Sequence, residues 1–210
     1  MTTLLLIAKQ PIAGLVKTRL CPPCTHEEAA RLADAALDDT VRTARVTGAD
    51  RLVVAYDGDP DDRFEGWVVV GQRGDGLADR LGAAFADAGA GPTLLIGMDT
   101  PQVPVEVMRS ALCSLQTNDA VFGAAPDGGF WAIGFRAAPA GVFEGVPMSC
   151  PNTGAIQLAR LQQHFDRIAM LPRVRDVDTI EDAHAVAAAS PATGFAAALA
   201  AVERGWERVG

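Results

Sequence analysis

The stretch from Thr93 to Gln102 joins a short apolar segment to a carboxylate that could bind a metal or a substrate. Its first part, Thr93–Gly97, is typical of a strand buried on both faces of a parallel sheet. Asp99 follows, and Pro101 prevents the strand from continuing because it lacks a backbone N–H. Ligands bind at the carboxyl ends of strands in open α/β sheets, so Asp99 is a candidate ligand-binding residue. The same residues are equally typical of a strand-to-helix turn, and the local sequence does not distinguish the two.

A basic loop follows the first predicted strand, which covers Thr3–Ala8. The loop holds Lys9, Lys17 and Arg19 together with Gly14. A glycine lets the backbone approach a ligand closely and three cations attract phosphate, so this loop is a candidate phosphate-binding site. Its sequence matches neither the Walker A pattern nor GxGxxG, and the alternative is a basic loop that is simply solvated.

A second carboxylate, Asp178, follows another strand-like segment, Val174–Val177, late in the chain. Mg²⁺ or Mn²⁺ commonly takes one or two carboxylates together with the phosphates of a substrate. Asp99 and Asp178, facing the basic loop, could therefore hold a metal–nucleoside triphosphate from both sides. The spacing does not exclude that Asp178 only adds negative charge to the first turn of a helix that Thr179 caps.

The composition argues against several classes of protein. A formal net charge of −8 without a basic stripe argues against binding to a nucleic-acid polymer. The apolar runs are far shorter than the roughly 20 residues that span a bilayer, so no membrane association is expected. The apolar N-terminus lacks a basic leader and a cleavage site of small residues, which predicts a cytoplasmic protein.

The cysteines include Cys21 and Cys24 in CxxC spacing, which occurs in redox pairs and in zinc sites. A second CxxC is missing and His26 alone does not complete four zinc ligands. The two intervening prolines and the expected cytoplasmic location favour a plain loop. Cys113 falls in a helical pattern and is predicted to be a buried small residue.

Strand and helix patterns alternate along the chain and predict a doubly wound α/β fold. Thr25 and Glu28 have the spacing of a capping box at the start of the first helix, whose aspartates (Asp34, Asp38 and Asp39) are predicted to form a solvated face. Further strands are predicted at 51–56, 67–70, 119–124, 130–135 and 168–171, and further helices at 77–88, 104–115, 152–165 and 183–206, with a break at Ser190–Pro191. No linker or repeat divides residues 1–210, which predicts one domain.

Strands 119–124 and 130–135 flank the sequence Asp127-Gly128-Gly129, which is typical of a tight turn. The two strands are therefore predicted to form a hairpin. Its turn could overhang the ligand-binding edge of the sheet.

Four motifs occur in a fixed order along nearly the whole chain: IAKQPIAGLVKTRL, GMDTPQ, PDGGFWAIG and DVDTIED. Together they resemble a family of GT-A-like transferases of unknown function. This family is described as glycosyltransferase-like, is related to phospholactate guanylyltransferase, and often accompanies radical-SAM and selenium-associated genes. The resemblance implies a single GT-A domain of the nucleotide-diphospho-sugar transferase superfamily. It would have a Rossmann-like, mostly parallel sheet, helices on both faces and a small hairpin near the site.

The resemblance also implies roles for individual residues. Lys9 and Lys17 match two lysines of the loop that handles the triphosphate in nucleotidyltransferases. Asp99 matches the acidic residue at the end of the central strand, and Asp178 matches a second metal ligand in related cytidylyl transfer enzymes. The resemblance therefore implies a Mg²⁺ or Mn²⁺ site at the two aspartates, with Lys17 and Asp99 as catalytic residues.

The remaining implied roles concern the two substrates. Gly74 and Gly76 lie in a loop where such folds read the nucleobase. Asp127, Gly128 and Gly129 lie where a small-molecule acceptor would approach. The implied partners are a nucleoside triphosphate or a nucleotide-sugar, and a small acceptor.

Two positions depart from the related families. Ile180 replaces the usual proline of the late motif, and Met98 stands where a DXD motif would have its first aspartate. The second departure argues against processive glycosyl transfer more than against nucleotidyl transfer. The leading hypothesis is a metal-dependent nucleotidyltransferase that releases pyrophosphate. A GT-A glycosyltransferase with a nucleotide-sugar donor and a non-catalytic nucleotide-binding protein are the alternatives.

Overall fold

The strands of the protein form one central sheet. The structure is a computed structural model, and it describes residues 1–207. Within them the strands are β1 (Thr3–Lys9), β2 (Arg51–Asp57), β3 (Val68–Gly71), β4 (Thr93–Gly97), β5 (Ala120–Ala124), β6 (Phe130–Phe135) and β7 (Ile168–Met170). Their order across the sheet is β3-β2-β1-β4-β6-β5-β7. All described pairs are parallel except those of β6 with β4 and with β5.

Helices cover both faces of this sheet. They are α1 (His26–Arg45), α2 (Leu77–Ala88), α3 (Val105–Ser114), α4 (Thr153–His164), α5 (Ile180–Ala189) and α6 (Gly194–Glu207). The first and third helices pack on one face, and the second and fourth on the other. The last two pack on the outer side of α1. None of the helices in residues 1–207 is long and apolar enough to cross a membrane.

The central strands are apolar on both sides because helices cover both sides. In β1, Leu4 and Leu6 belong to the core under α1 and α3, whereas Leu5 belongs to the core under α2. All three side chains are fully buried, and burying a leucine contributes about 1.5–3 kcal/mol. The apolar runs that predicted buried strands therefore supply the two cores that fix the sheet.

The α/β class, the mostly parallel sheet, the helices on both faces and the hairpin of β5 and β6 are confirmed. The capping boxes are confirmed as well. Thr25 and Glu28 bond reciprocally at the start of α1, and Thr179 and Asp182 do so at the start of α5. These features depend on neighbours in sequence, which is why local patterns predict them.

The prediction of a strand at Val174–Val177 is wrong. The segment after β7 is extended, but it crosses the end of the sheet instead of running beside a strand. The Val174 N–H donates to the oxygen of Ala124, at the end of β5, and the Val177 N–H donates to the oxygen of Asp99, beyond β4.

Two predictions of burial are wrong. Asp39 was predicted on a solvated face, but it is buried and accepts hydrogen bonds from the Gly194 and Phe195 N–H groups at the start of α6. Cys113 was predicted to be buried, but it lies on the exposed side of α3. Both errors have one cause, since the position of a neighbouring helix decides which face of a helix is covered.

The CxxC segment lies between Leu20 and the start of α1. The thiols of Cys21 and Cys24 are free. Burial raises the pKa of Cys24 to about 11, with a further contribution from the charge of Glu28. Its thiol therefore stays protonated at neutral pH and packs with the core between α1 and α5.

Candidate active site at the carboxyl edge of the sheet

The parallel strands bring the candidate residues to one edge of the sheet. Ile7 in β1 pairs with Gly97 in β4, so Lys9 and Asp99, each two residues further on, both lie at the carboxyl ends of these strands. The antiparallel β6 starts at this same edge, which places the turn at residues 127–129 beside them. A cleft of about 950 Å³ opens here.

Most of the residues singled out from the sequence line this cleft, and three glycines do not. Those that line it are Lys9, Lys17, Arg19, Gly76, Asp99, Asp127, Gly129 and Asp178. Gly14, Gly74 and Gly128 lie outside the lining. Gly74 and Gly128 have positive φ angles, and a Cβ on Gly128 would stand 1.8 Å from the Pro151 oxygen. These two glycines are therefore required by the backbone around the cleft.

Lys17 is the centre of the charged network in the cleft. Its Nζ lies 2.8 Å from Oδ2 of Asp99 and 3.1 Å from Oδ1 of Asp178. The Lys17 side chain is only 11% exposed. Burial acts to lower the pKa of Lys17, but the two carboxylates outweigh it and raise this pKa above its ordinary value. The ammonium is therefore charged and joins residues that are far apart in the sequence.

The backbone on either side of Lys17 holds this side chain in the cleft. Val16 and Leu20 are buried in two different cores, so the loop is anchored before and after the lysine. Lys17 itself adopts the left-handed conformation, with φ 46° and ψ 36°, directly before a 3-10 turn at Thr18–Leu20. A non-glycine residue in this region is uncommon and costs conformational energy, which the surrounding packing must offset.

Asp99 carries an acceptor that is left without a partner. Its Oδ2 binds Lys17, whereas its Oδ1 is buried and accepts no hydrogen bond from residues 1–207. The main chain of Asp99 accepts the hydrogen bond from Val177 that fixes the crossing segment over β4. A buried carboxylate oxygen without a hydrogen-bond donor is uncommon in folded proteins. This oxygen can bind a cation or accept a hydrogen bond from a ligand.

Asp176 is a site residue that the sequence analysis missed. Carboxylate oxygens of Asp127, Asp176 and Asp178 lie within 4.8 Å of one another. Burial, followed by the charges of Asp127 and Asp178, raises the pKa of Asp176 to about 6. The signal was the spacing of Asp176 and Asp178. In an extended segment, residues two apart share a face, and the intervening Val177 is buried.

The turn before β6 is held against the start of α4. Oδ1 of Asp127 accepts a hydrogen bond of 2.9 Å from the Gly129 N–H. The Gly154 N–H donates to the Gly128 oxygen at 2.7 Å. The turn that was predicted to contact the acceptor substrate is therefore fixed in place beside Asp176 and Asp178.

Gln72 and Arg80 also line the cleft, and the sequence analysis missed both. Nε2 of Gln72 donates to the oxygens of Ala8 and Ala55, at 2.7 and 3.1 Å, and its Oε1 accepts from Arg80 at 3.2 Å. All the hydrogen-bonding groups of the Gln72 amide are therefore occupied in holding the loop after β3. No local pattern in the sequence indicates this role.

Lys9 and Lys17 are the only lysines in the whole sequence. Lys9 is exposed, and its Nζ donates to the Leu15 oxygen at 3.0 Å, which ties the loop back onto itself. In a chain whose other basic side chains are arginines, two lysines in one loop are a signal that the sequence already contained. Arg19 is also exposed and contacts Oδ2 of Asp178 at 2.8 Å.

The chemistry of the donors fits a divalent metal ion. Five aspartates line the cleft, namely Asp75, Asp99, Asp127, Asp176 and Asp178. Their carboxylates supply only oxygen ligands, which are the ligands that Mg²⁺ and Mn²⁺ prefer. The unpartnered Oδ1 of Asp99 is a ligand atom that no side chain uses. The site therefore has the ligand types that the sequence predicted, with Asp127 and Asp176 beside the expected pair.

Residues 32–150, more than half of the chain, match a family described as "Uncharacterized protein conserved in bacteria (DUF2064)". The chain belongs to the DUF2064 family. No curated protein matches this DUF2064 sequence.

Solved structures with the same fold include proteins described as a nucleotidyl transferase and as a candidate nucleotide-diphospho-sugar transferase. The DUF2064 protein is similar to a candidate nucleotide-diphospho-sugar transferase from Desulfovibrio desulfuricans G20. The two are 28% identical with a TM-score of 0.86, over 98% of this chain and 97% of the other. It also resembles CMP:2-keto-3-deoxy-manno-octonic acid synthetase complexed with CTP, at 14% identity and a TM-score of 0.55, over 89% and 97% of the two chains.

A third similar structure contains a metal. The manganese complex of Rv0371c from Mycobacterium tuberculosis H37Rv is 22% identical, with a TM-score of 0.54, over 88% of this chain and 97% of the other. At these identities the second and third structures share the fold with the DUF2064 protein. The GT-A-like class expected from the four motifs is therefore confirmed.

Proposed function

We propose that this protein is a metal-dependent nucleotidyltransferase. It would transfer a nucleotidyl group from a nucleoside triphosphate to a small acceptor that carries a hydroxyl or a phosphate, with release of pyrophosphate. The observation that carries the proposal is the convergence of Asp99, Asp178 and Lys17 in one cleft, where one ammonium contacts both carboxylates. We place this activity in the cytoplasm, as expected from the sequence.

Asp99 and Asp178 are the residues that would hold Mg²⁺ or Mn²⁺, with Asp176 and Asp127 adjacent to Asp178. When bound, the ion neutralises charge on the phosphates and makes the α-phosphorus easier to attack. The carboxylates that line the cleft would otherwise repel a triphosphate. A cation is therefore needed for the two negative groups to meet.

The basic loop supplies the positive charge for the leaving group. Lys17 and Arg19 line the cleft beside the carboxylates, and Lys9 lies at the end of β1. Charge moves onto the pyrophosphate as it leaves, and cations placed there in advance stabilise that change. The buried position of Lys17 strengthens its effect, since water screens it little.

The turn at residues 127–129 would position the acceptor. It lies on the same side of the cleft as Asp178 and is fixed to α4 by the Gly154–Gly128 hydrogen bond. The acceptor oxygen would form a bond to the α-phosphorus while the bond from that phosphorus to the β-phosphate oxygen breaks. Holding the two reactants in line supplies much of the rate in such reactions.

The test uses the purified protein with Mg²⁺ and each of the common nucleoside triphosphates in turn. We expect at least one triphosphate to bind, as measured by calorimetry, and to release pyrophosphate when a matching small acceptor is added. Asp99→Asn should abolish the release. Asp34→Asn, which removes one carboxylate outside the cleft, is the matched control and should retain it. Binding of a nucleotide-sugar without any binding of a triphosphate would refute the proposal.

A glycosyltransferase with a nucleotide-sugar donor is the second candidate. Its support is the 28% identical structure over nearly the full length of both chains, which is described as a candidate nucleotide-diphospho-sugar transferase. The same carboxylates would then hold the metal at a diphosphate. Slow hydrolysis of a nucleotide-sugar, lost in Asp99→Asn and retained in Asp34→Asn, would favour this function. Pyrophosphate release from a triphosphate would argue against it.

A further inference from the structure

The carboxylates assigned to the metal already have cationic partners from the protein. Oδ2 of Asp99 and Oδ1 of Asp178 are bound to Lys17, and Oδ2 of Asp178 is bound to Arg19. Of the four oxygens of this pair, only Oδ1 of Asp99 has no partner. A metal ion that takes one oxygen from each aspartate must therefore either share an Asp178 oxygen with a basic side chain or displace that side chain.

The two basic groups differ in how easily they can leave. The Arg19 side chain is 69% exposed, so water can replace its contact with Asp178 at little cost. The Lys17 side chain is 11% exposed and lies between both carboxylates. An ammonium placed there also repels an incoming divalent cation, because the two positive charges would lie close together beside the same two carboxylates.

We propose that Lys17 is an internal competitor of the metal, and that a bound triphosphate removes this competition by drawing the ammonium to its own phosphates. The inference rests on the proposed function, since it concerns the same metal and triphosphate. In the protein without nucleotide, Lys17 balances Asp99 and Asp178, and the metal binds weakly. The metal and the triphosphate then bind cooperatively, because each favours the state in which Lys17 has left the carboxylates.

The structure allows Lys17 to make this move. Its side chain has four flexible methylene groups, and it points into a cleft that has room for a ligand. Val16 and Leu20 remain anchored in the cores, so that only the side chain needs to change direction.

The first experiment measures Mn²⁺ binding to the protein without nucleotide, by calorimetry. We expect Lys17→Met to bind Mn²⁺ about tenfold or more tightly than the wild type, since a charge in contact with the ligands is removed. Lys9→Met is the matched control. It removes the same charge from the same loop, but Lys9 contacts only a backbone oxygen. Its affinity for Mn²⁺ should change by less than about twofold, the effect of a charge outside the contact distance.

The second measurement tests the cooperativity with a triphosphate analogue that has a methylene group between the α- and β-phosphorus. In the wild type, the analogue should tighten Mn²⁺ binding by a factor within the roughly 5- to 150-fold range of coupled sites. In Lys17→Met this factor should fall to a few-fold. A Lys17→Met protein that binds Mn²⁺ no more tightly than the wild type would overturn the inference. So would a coupling that the substitution leaves unchanged.

A third measurement does not depend on a substituted protein folding. Protein grown with ¹⁵N-lysine has only two lysine ammonium groups, so the NMR signal of Lys17 can be assigned directly. We expect this signal to be visible in the free protein, where both carboxylates protect the ammonium, and to shift when Mg²⁺ and the analogue are added together. A Lys17 signal that stays in place while calorimetry shows saturation would overturn the inference.

These measurements need no turnover, so the two proposals can fail separately. If Lys17→Met binds Mn²⁺ more tightly but no triphosphate is ever cleaved, the competition stands and the transfer reaction is wrong. If pyrophosphate is released but Lys17→Met binds Mn²⁺ no more tightly, the reaction stands and the competition is wrong.

Discussion

Arg63 and Lys17 each hold several carboxylates, yet they do so in opposite ways. Arg63 lies against α1, outside the cleft, and binds three aspartates. Its Nε contacts Asp61 at 2.9 Å, its Nη1 contacts Asp38 at 2.9 Å, and its Nη2 contacts Asp34 at 2.7 Å. Each nitrogen of the guanidinium has a carboxylate, and hydrogen bonds from Arg63 lower the pKa of Asp61. The group is complete without any further partner.

The Lys17 group is not complete in this sense. One ammonium serves both Asp99 and Asp178, and Oδ1 of Asp99 is left without a donor. Asp176 and Asp127 add two more carboxylates beside them, and the pKa of Asp176 rises to about 6. A cluster that only stabilises the fold tends to pair its buried polar groups, and each guanidinium nitrogen of Arg63 has a carboxylate partner. Carboxylates gathered in a cleft around a buried oxygen that has no donor are instead the arrangement expected where a metal and its substrate bind.

The largest expected effect is on activity. Asp178→Asn should lower the initial rate of pyrophosphate release by roughly 10²- to 10³-fold, because a metal ligand and a partner of Lys17 are lost together. Asp34→Asn, from the Arg63 cluster, should leave the rate within about twofold, as expected for a substitution far from the site. An Asp178→Asn protein that keeps half of the wild-type rate would place the metal elsewhere.

The next effect is on stability. Arg63→Met should lower the free energy of unfolding by about 2–4 kcal/mol, because three aspartates lose their cation while the arginine site itself is mostly buried. Those aspartates are about half exposed, which keeps the loss toward the lower value. Triphosphate binding should not change, and calorimetry would check this.

Arg73→Met is the matched control for Arg63→Met. It removes an exposed arginine that pairs with Asp87 at the surface, so its effect on the denaturation midpoint should be clearly smaller. An equal loss in the two variants would contradict the view that the Arg63 cluster is a structural unit.

The smallest effect depends on pH. The pKa of Asp176 is raised from 3.8 to about 6 in the folded protein, so the folded state binds this proton more tightly than the unfolded state does. Stability from Asp176 is therefore present below pH 3.8 and is lost as the pH rises through about 6. At pH 8 without metal, Asp176→Asn should be more stable than the wild type by about 1 kcal/mol after allowance for solvent screening. That corresponds to about 2–4 °C in Tm.

The advantage of Asp176→Asn should fade below about pH 4, where the carboxyl group is protonated in both states. Asp182 provides a control of opposite sign. Burial opposes its ionisation, but Arg175 and the groups of Thr179 lower its pKa. Asp182→Asn should therefore be less stable than the wild type at pH 8, and this deficit should shrink as the pH falls below 3.8. Thermal denaturation in a chelator across this pH range tests both.

The sequence predicted the features that depend on neighbours along the chain. Residues close together in the sequence determine each of these features, which are the apolar runs of β1 and β4, the two capping boxes and the turn of the β5–β6 hairpin. The position of Asp99 just beyond a buried strand belongs to the same class. Parallel strands have their carboxyl ends at the same edge of a sheet, so the positions of Lys9 after β1 and Asp99 after β4 predicted that these residues lie near each other.

The errors fall where distant segments meet. The interpretation of Asp39 was wrong because α6 covers that side of α1 and needs its first N–H groups satisfied. The strand expected at Val174–Val177 is a crossing segment, and only its hydrogen bonds to Ala124 and Asp99 give it that course. This crossing brings Asp176 into the cleft, so the same long-range contact explains an error and a missed residue.

The sequence by itself determined the chemistry available to this protein: two lysines in one loop, a carboxylate just beyond a buried strand, and an overall negative charge. The tertiary structure alone decided how these groups meet. Residues 17, 99 and 178 converge because β1 and β4 are neighbours and because the segment after β7 crosses their ends. No local pattern encodes strand order or the path of a crossing segment, since both arise from packing between residues far apart in the chain. That packing places one ammonium between two aspartates and leaves one oxygen of Asp99 unpaired.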